Sequence, residues 1–163
     1  MELWDLYDEQ KNITGKVHER GKEILDGYYH LVVHVWIKNS EGKYLISRRS
    51  GNRKSYPLYL ECQGGSVLKD EDSFTGAKRE VLEEVGIDLS NTPGKMIYSK
   101  VRKNFHDIMD VWLFTYDGEV DLSKATTDEV CEVKWMSIDE IKKVYEKGEL
   151  VPTLIYIFDV VSE

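Results

Sequence analysis

Residues 28 to 37 read YYHLVVHVWI, a run rich in aromatic and β-branched side chains that predicts a strand. Strand alternation puts His30, Val32, His34 and Trp36 on one face and Leu31, Val33, Val35 and Ile37 on the other, so the all-aliphatic face meets the core. The turn signal Asn39-Ser40-Glu41-Gly42 then leads into Lys43 to Arg49, which predicts a hairpin. Similar patterning gives a short strand from Tyr56 to Cys62 that runs into Gln63-Gly64-Gly65, a second hairpin from Lys95 to Val101 and Ile108 to Tyr116, and a strand at Val133 to Met136. Ahead of these, Leu3 to Thr14 alternates apolar and charged residues, consistent with a short strand and turn, and His18, Glu19 and Arg20, three polar groups able to contact a ligand, read as a solvated loop in preference to that.

The period changes to that of a helix between Asp72 and Gly86. Another helix starts at Ser137, with Glu140 three residues on to complete a capping box, and should stop near Gly148. Pro152 suits the first turn of a last apolar helix, Thr153 to Val161, in which Leu154, Ile155, Ile157, Phe158 and Val161 would cover the sheet. Strands, a helix, more strands and terminal helices make an α+β domain with a mixed sheet. The 163 residues fit one domain, with 1–27 an N-terminal extension and 150–163 the C-terminal helix.

The first helix carries the chemistry. Phe74, Ala77, Val81 and Val85 make its apolar face, while Glu80, Glu83 and Glu84 fall in an arc on the other side. Like charges at these spacings cost a helix ~0.2–0.5 kcal/mol per pair, so the arrangement wants a cation. All-oxygen donors favour a hard one such as Mg²⁺. Glu71 is placed to pair with Arg79, Asp72 or Ser73 to cap the helix, and Gly86 to end it. Gly64-Gly65 lets the backbone come close to a ligand.

Charge narrows the partners. Lys and Arg total 22 against 30 Asp and Glu, a formal charge of −8 that argues against a nucleic-acid polymer or an anionic lipid surface. A run long enough to span a membrane is missing, the first residues resemble no signal peptide, and two cysteines, Cys62 and Cys131, fit a reducing compartment; a cytoplasmic protein is expected. Arg48, Arg49, Arg53 and Lys54 form a basic cluster able to hold phosphate or carboxylate, with Arg49 the first candidate. His30 and His34, on one strand face, are candidates for a cleft, as substrate contacts, metal ligands or bases.

Residues 65 to 87 resemble the Nudix box, G-x5-E-x7-R-E-U-x-E-E-x-G-U with U bulky and aliphatic, at every specified position: Gly65, Glu71, Arg79, Glu80, Val81, Glu83, Glu84, Gly86 and Ile87. The resemblance implies an α/β/α sandwich around a mixed β-sheet. It also implies hydrolysis of a diphosphate linkage, usually in a nucleoside diphosphate derivative, by water attack on phosphorus with Mg²⁺ or Mn²⁺. By the match, Glu80, Glu83 and Glu84 ligate metal with the Gly65 carbonyl, and Arg79 and Glu71 hold them in place; outside the box, in the loop before Val133 where many relatives carry an acidic residue, Glu129 is implied as an extra ligand or the base, with Glu83 the next candidate for base. The partner implied is a small-molecule diphosphate, and the chain a monomer or homodimer.

Roughly the first 65 residues also resemble isopentenyl-diphosphate isomerase, through Asp5-Leu6-Tyr7-Asp8 to Thr14-Gly15, the His30 strand and Arg48-Arg49. Such isomerases need a cysteine and a metal-binding histidine near the position of Gln63-Gly64-Gly65, and this chain departs there. The intact box fits hydrolysis better, giving an isomerase-like branch of the Nudix hydrolases; a non-catalytic nucleotide-binding regulator is the third reading.

Overall fold

A computed structural model describes residues 1–161. Its large sheet runs in the order β5 (Leu60–Glu61), β4 (Tyr44–Arg49), β3 (His30–Lys38), β8 (Asp107–Thr115) and β7 (Gly94–Arg102), with β6 (Gln63–Ser66) also on β3 and β9 (Val130–Met136) also on β4. Strand β3 lies parallel to β8 and antiparallel to β6, so the sheet is mixed. The two faces of β3 divide the interior. Leu31, Val33, Val35 and Ile37 pack with Ala77, Val81 and Val85 of α1 (Ser73–Val85), whereas Trp36 packs with Ile141 of α2 (Ile138–Glu146) and with Leu154 and Ile157 near the C-terminus. Helices thus cover both sides of the sheet, the α/β/α sandwich expected from the sequence.

Local chemistry sets the element ends. Asp72 caps α1 by accepting the Thr75 N–H at 2.7 Å, and Gly86, at φ 74°, donates its N–H to Leu82 O. Ser137 and Glu140 complete the capping box of α2. The turn at Asn39 forms as expected, its Oδ1 accepting the N–H groups of Glu41 and Lys43. The hairpin it closes is only one pair long, Lys38 with Tyr44, after which β3 turns to β6 and β8 while β4 turns to β5 and β9. The β7–β8 hairpin pairs Gly94–Arg102 with residues 107–114, with a register shift between Met96 and Tyr98.

Two expectations are corrected. His18 and Glu19 are not loop but the end of β2 (Ile13–Glu19), which pairs with β1 (Leu3–Tyr7) as a separate two-stranded sheet, and His18 is buried. Trp4 of that hairpin stacks on His18 and His30, with centroids 5.7 and 4.1 Å away, and so docks the hairpin against β3. The last helix is instead a 3₁₀ segment, Pro152–Tyr156, followed by α3 (Ile157–Val160). In a 3₁₀ turn residues three apart eclipse one another, which buries Leu154 and Ile157 together and leaves Ile155 half exposed. Residues 162–163 of the expected C-terminal helix lie outside the described residues. No helix among the described residues is long and apolar enough to cross a membrane.

Candidate active site

Strand β6 brings its glycines against α1 because their side-chain space is taken. A Cβ on Gly64 would strike the Val33 carbonyl of β3, and one on Gly65 would sit 2.5 Å from the Glu80 carboxylate carbon. The Gly64 N–H donates to Glu84 Oε1 at 2.8 Å. Glu80 and Glu84 are therefore buried against a bare backbone.

Arg79 ties the box together. Its Nε and Nη2 donate to the two oxygens of Glu71 at 2.8 and 2.9 Å, and Nη2 also reaches Ser66 O at 3.0 Å. Its Nη1 donates to Glu80 Oε1 at 3.0 Å and to Glu83 Oε2 at 3.1 Å. Glu71 in turn accepts the Leu68 N–H, so one ion pair fixes the loop, the helix and the glycine strand relative to each other. The pairing of Glu71 with Arg79 expected from the sequence is present.

Burial dominates the electrostatics. It pushes the Glu80 carboxyl up to about 7 despite the opposing charge and hydrogen bond of Arg79. It raises Glu84 well above the usual carboxylate range, with the Gly64 N–H opposing and the negative charge of Glu80 adding. For Arg79, burial works against the charge, but the Glu71 hydrogen bond and the charges of Glu80 and Glu71 outweigh it and hold the guanidinium above its ordinary value. Among the described residues no group of three His, Cys, Asp or Glu side chains converges as a ready metal cage. Glu80 and Glu83 lean on Arg79 and Glu84 on Gly64, which are the positive partners available to them. The donor set still fits a hard divalent cation: every donor is oxygen, and Gly65 leaves its backbone flush with the Glu80 carboxylate.

Beside the glycines opens a cleft of about 260 Å³. Arg20, His34, Arg49, Arg53, Glu61, Arg102 and Glu129 line it together with Gly65 and Glu80. Arg49, the first phosphate candidate of the basic cluster, is at the cleft, but its Nη1 is bonded to Glu61 at 2.7 Å and its Nε to Ser55 O. Arg53 pairs with Glu129 at 3.2 Å, placing that carboxylate on the cleft wall with Glu80. Arg102 is held bidentately by Asp107 at 2.8 Å.

The histidines part company. His34 lines the cleft, and its Nδ1 lies 2.8 Å from the Tyr156 hydroxyl, which also accepts the Trp36 Nε1–H at 3.0 Å. The hydroxyl proton is then given to Nδ1, which leaves Nε2 of a neutral His34 carrying the hydrogen. Burial, aided by Arg102, lowers His34 to about 3, which keeps the ring neutral. His30 is not part of the cleft: it is stacked under Trp4, and burial takes it down to about 4. The sequence reading put it beside His34 because alternation fixes the strand face, but not what covers each end of that face. Cys62 is buried at the cleft with its thiol raised by desolvation, and both cysteines are free.

Sequence reasoning missed Glu61 and Arg102 as cleft residues and ranked Arg20 as solvated loop above ligand contact. The available signal was β pairing: the run Ile13–Glu19 could pair back on Leu3–Tyr7, which carries Arg20 away from open loop and toward the box.

Known proteins resemble the chain in sequence and in fold. The NUDIX domain family matches residues 28–154. An uncharacterized Nudix hydrolase of Listeria innocua is 39% identical over 155 residues, covering 93% of this chain and 89% of the relative. The chloroplastic isopentenyl-diphosphate Delta-isomerase 1 of Cannabis sativa is 27% identical, covering 88% of this chain and 58% of that protein. Among solved structures, DR0079 from Deinococcus radiodurans superposes with a TM-score of 0.74 over 92% of each chain, at 21% identity. With its box glycines, its Arg79 clamp and a domain match over most of its length, the chain belongs to the Nudix hydrolase family.

Proposed function

We propose that this Nudix hydrolase cleaves a diphosphate linkage in a small molecule, a nucleoside diphosphate derivative, by attack of water on phosphorus with Mg²⁺ or Mn²⁺. The observation that carries the reading is the set Glu80, Glu83 and Glu84 held by Arg79 and the Gly64 N–H, with Glu80 and Gly65 on a cleft lined by arginines. Glu80, Glu83, Glu84 and the Gly65 carbonyl would hold the cation. When bound, it neutralises phosphate oxygens and lowers the pKa of the water.

The chain's own groups divide the remaining work. Arg79 is fully engaged with carboxylates and Ser66 O, so it orients ligands and does not bind substrate. Glu83 rests one oxygen on Arg79, yet over a third of its side chain is open to solvent, against 12% for Glu80. That exposure suits a group that takes a proton from the attacking water. Glu129, which lines a second cavity together with Glu80 and Glu83, is the second candidate for this role. His34 presents a fixed Nε2–H donor further along the cleft, for an acceptor on the substrate.

The Gln63-Gly64-Gly65 turn carries neither thiol nor imidazole, and Cys62 beside it is buried and poorly ionised, which supports hydrolysis over double-bond isomerisation. The test is a panel of diphosphate compounds, scored for phosphate products with Mg²⁺ and with chelator. Glu83→Gln should keep the fold and lose turnover by ~100-fold or more. Unchanged turnover in that variant would remove Glu83 from the site, and conversion of isopentenyl diphosphate to dimethylallyl diphosphate would replace the reading by the isomerase one.

A further inference from the structure

The N-terminal hairpin lies outside the stretch matched by the NUDIX domain, 28–154, yet it is bolted to the box. The Lys69 N–H donates to Leu3 O and the Asp70 N–H to Asp5 Oδ2, each at 2.8 Å, on the loop that carries Glu71. Trp4 clamps the other side through His18 and His30. The residue just past β2 is Arg20, whose N–H is bonded to Glu2 O at 2.9 Å. Its position is therefore set by the same backbone that sets the box.

Arg20 stands where two cavities meet. One is the cleft with His34, Gly65 and Glu80; the other, of about 600 Å³, is lined by Arg79, Glu80, Glu83 and Glu129 along with the hairpin. Glu80 and Glu129 line both as well, and their negative charges act on Arg20.

The arginines of the cleft differ in what an incoming anion would have to displace. Arg49 and Arg102 are bonded to Glu61 and Asp107 in pairs with little solvent access, and separating either would strand a buried carboxylate. Arg53 holds Glu129 in a partly shielded pair. Arg20 has its guanidinium on Glu2 and near the Trp4 ring, with 63% of its side chain exposed. The Glu2 carboxylate it would leave is 27% exposed, more open to water than Glu61 at 18% or Asp107 at 6%.

We propose that Arg20 is a phosphate-holding residue: its guanidinium leaves Glu2 for the oxygens of a diphosphate lying across the cleft mouth, and Glu2 is the resident competitor for that position. The ligand class is a small molecule with two linked phosphates, so the inference rests on the hydrolase reading above. The planar fork of Arg20 can hold two oxygens at once, which an ammonium cannot.

The two partners make the test sharp. If Arg20 holds phosphate, removing the guanidinium and removing the competitor act in opposite directions; if the pair only braces the hairpin, they act in the same direction. Binding of methylenediphosphonate, a probe that resists hydrolysis, is measured calorimetrically with Mg²⁺ on the full chain. Arg20→Ala should weaken it roughly tenfold or more, Arg20→Lys should recover part of the loss, and Glu2→Gln should tighten it about two- to fivefold. Equal weakening in Arg20→Ala and Glu2→Gln, no change in Arg20→Ala, or no binding by the wild type overturns the proposal. Phosphate release by the wild type from the diphosphate panel separates the two readings. Release with the same KM in Arg20→Ala refutes Arg20 and leaves the hydrolase, whereas the expected binding pattern without any release keeps Arg20 as an anion site and refutes the hydrolysis.

Discussion

The box helix and the N-terminal hairpin each set an arginine against a carboxylate at the same cleft, and the two pairs have opposite character. Arg79 is 21% exposed, and all three guanidinium nitrogens are bonded to Glu71, Glu80, Glu83 or Ser66 O. Arg20 is 63% exposed and leans on Glu2. The same two functional groups therefore make a fixed joint where water is excluded and an exchangeable contact where it is not. A joint holds geometry; an exchangeable contact can give its charge to a ligand.

The largest effect expected from this contrast is at Arg79. Arg79→Ala leaves Glu71 with only 12% of its side chain exposed and without its guanidinium, and should cost about 3 kcal/mol in urea unfolding together with at least ~100-fold in turnover. Arg79→Lys should recover little of either, because one ammonium cannot span both Glu71 oxygens and still reach Ser66 O and Glu83. Good recovery by lysine would mean that charge alone, not the planar fork, holds the box.

The contrast also explains what could be read from the sequence. In the box, one helix carries Arg79, Glu80, Glu83 and Glu84, so the 3.6-residue period fixes their relative directions, and Glu71 is eight residues from Arg79. Asp72 as cap, Gly86 as stop and the apolar face of Ala77, Val81 and Val85 were legible for the same reason. The hairpin gives no such signal. Ile13, Val17 and most of β2 are exposed, so burial imposes no clean alternation, and its pairing depends on Trp4 finding His30 across the fold. The cleft pairs Arg49–Glu61 and Arg102–Asp107 join neighbouring strands or strand ends, and their partners are set by register, which patterning leaves open. The C-terminal segment was read correctly at Pro152 but not in its 3₁₀ winding, because a short apolar run is compatible with either period.

A smaller effect separates geometry from stability within the box itself. In Gly64→Ala the new methyl meets the Val33 carbonyl of a central strand, so backbones must part and about 1–3 kcal/mol of stability should be lost. In Gly65→Ala it meets the end of a flexible side chain, the Glu80 carboxylate, which can swing away. Unfolding should then change by less than about 1 kcal/mol while turnover drops by about 100-fold, since a displacement near 1 Å at a positioning group is enough for that. Equal stability losses in both variants would show that the Gly65 contact is as rigid as the Gly64 one.

The smallest expected effect is the stability change on removing the exposed pair, and it is the one that completes the comparison. The hairpin is anchored by the Trp4 stack on His18 and His30 and by the bonds from Lys69 and Asp70, none of which uses the Arg20 side chain. Arg20→Ala and Glu2→Gln should accordingly shift the unfolding free energy by no more than about 0.5 kcal/mol. Trp4→Ala, which empties a buried aromatic site, should cost about 3 kcal/mol in the same measurement. A loss in Arg20→Ala approaching that of Trp4→Ala would make Arg20 a brace like Arg79 and erase the distinction. A small loss accompanied by weakened diphosphate binding would instead mean that the hairpin is held by its aromatic anchor, leaving the guanidinium free to exchange partners.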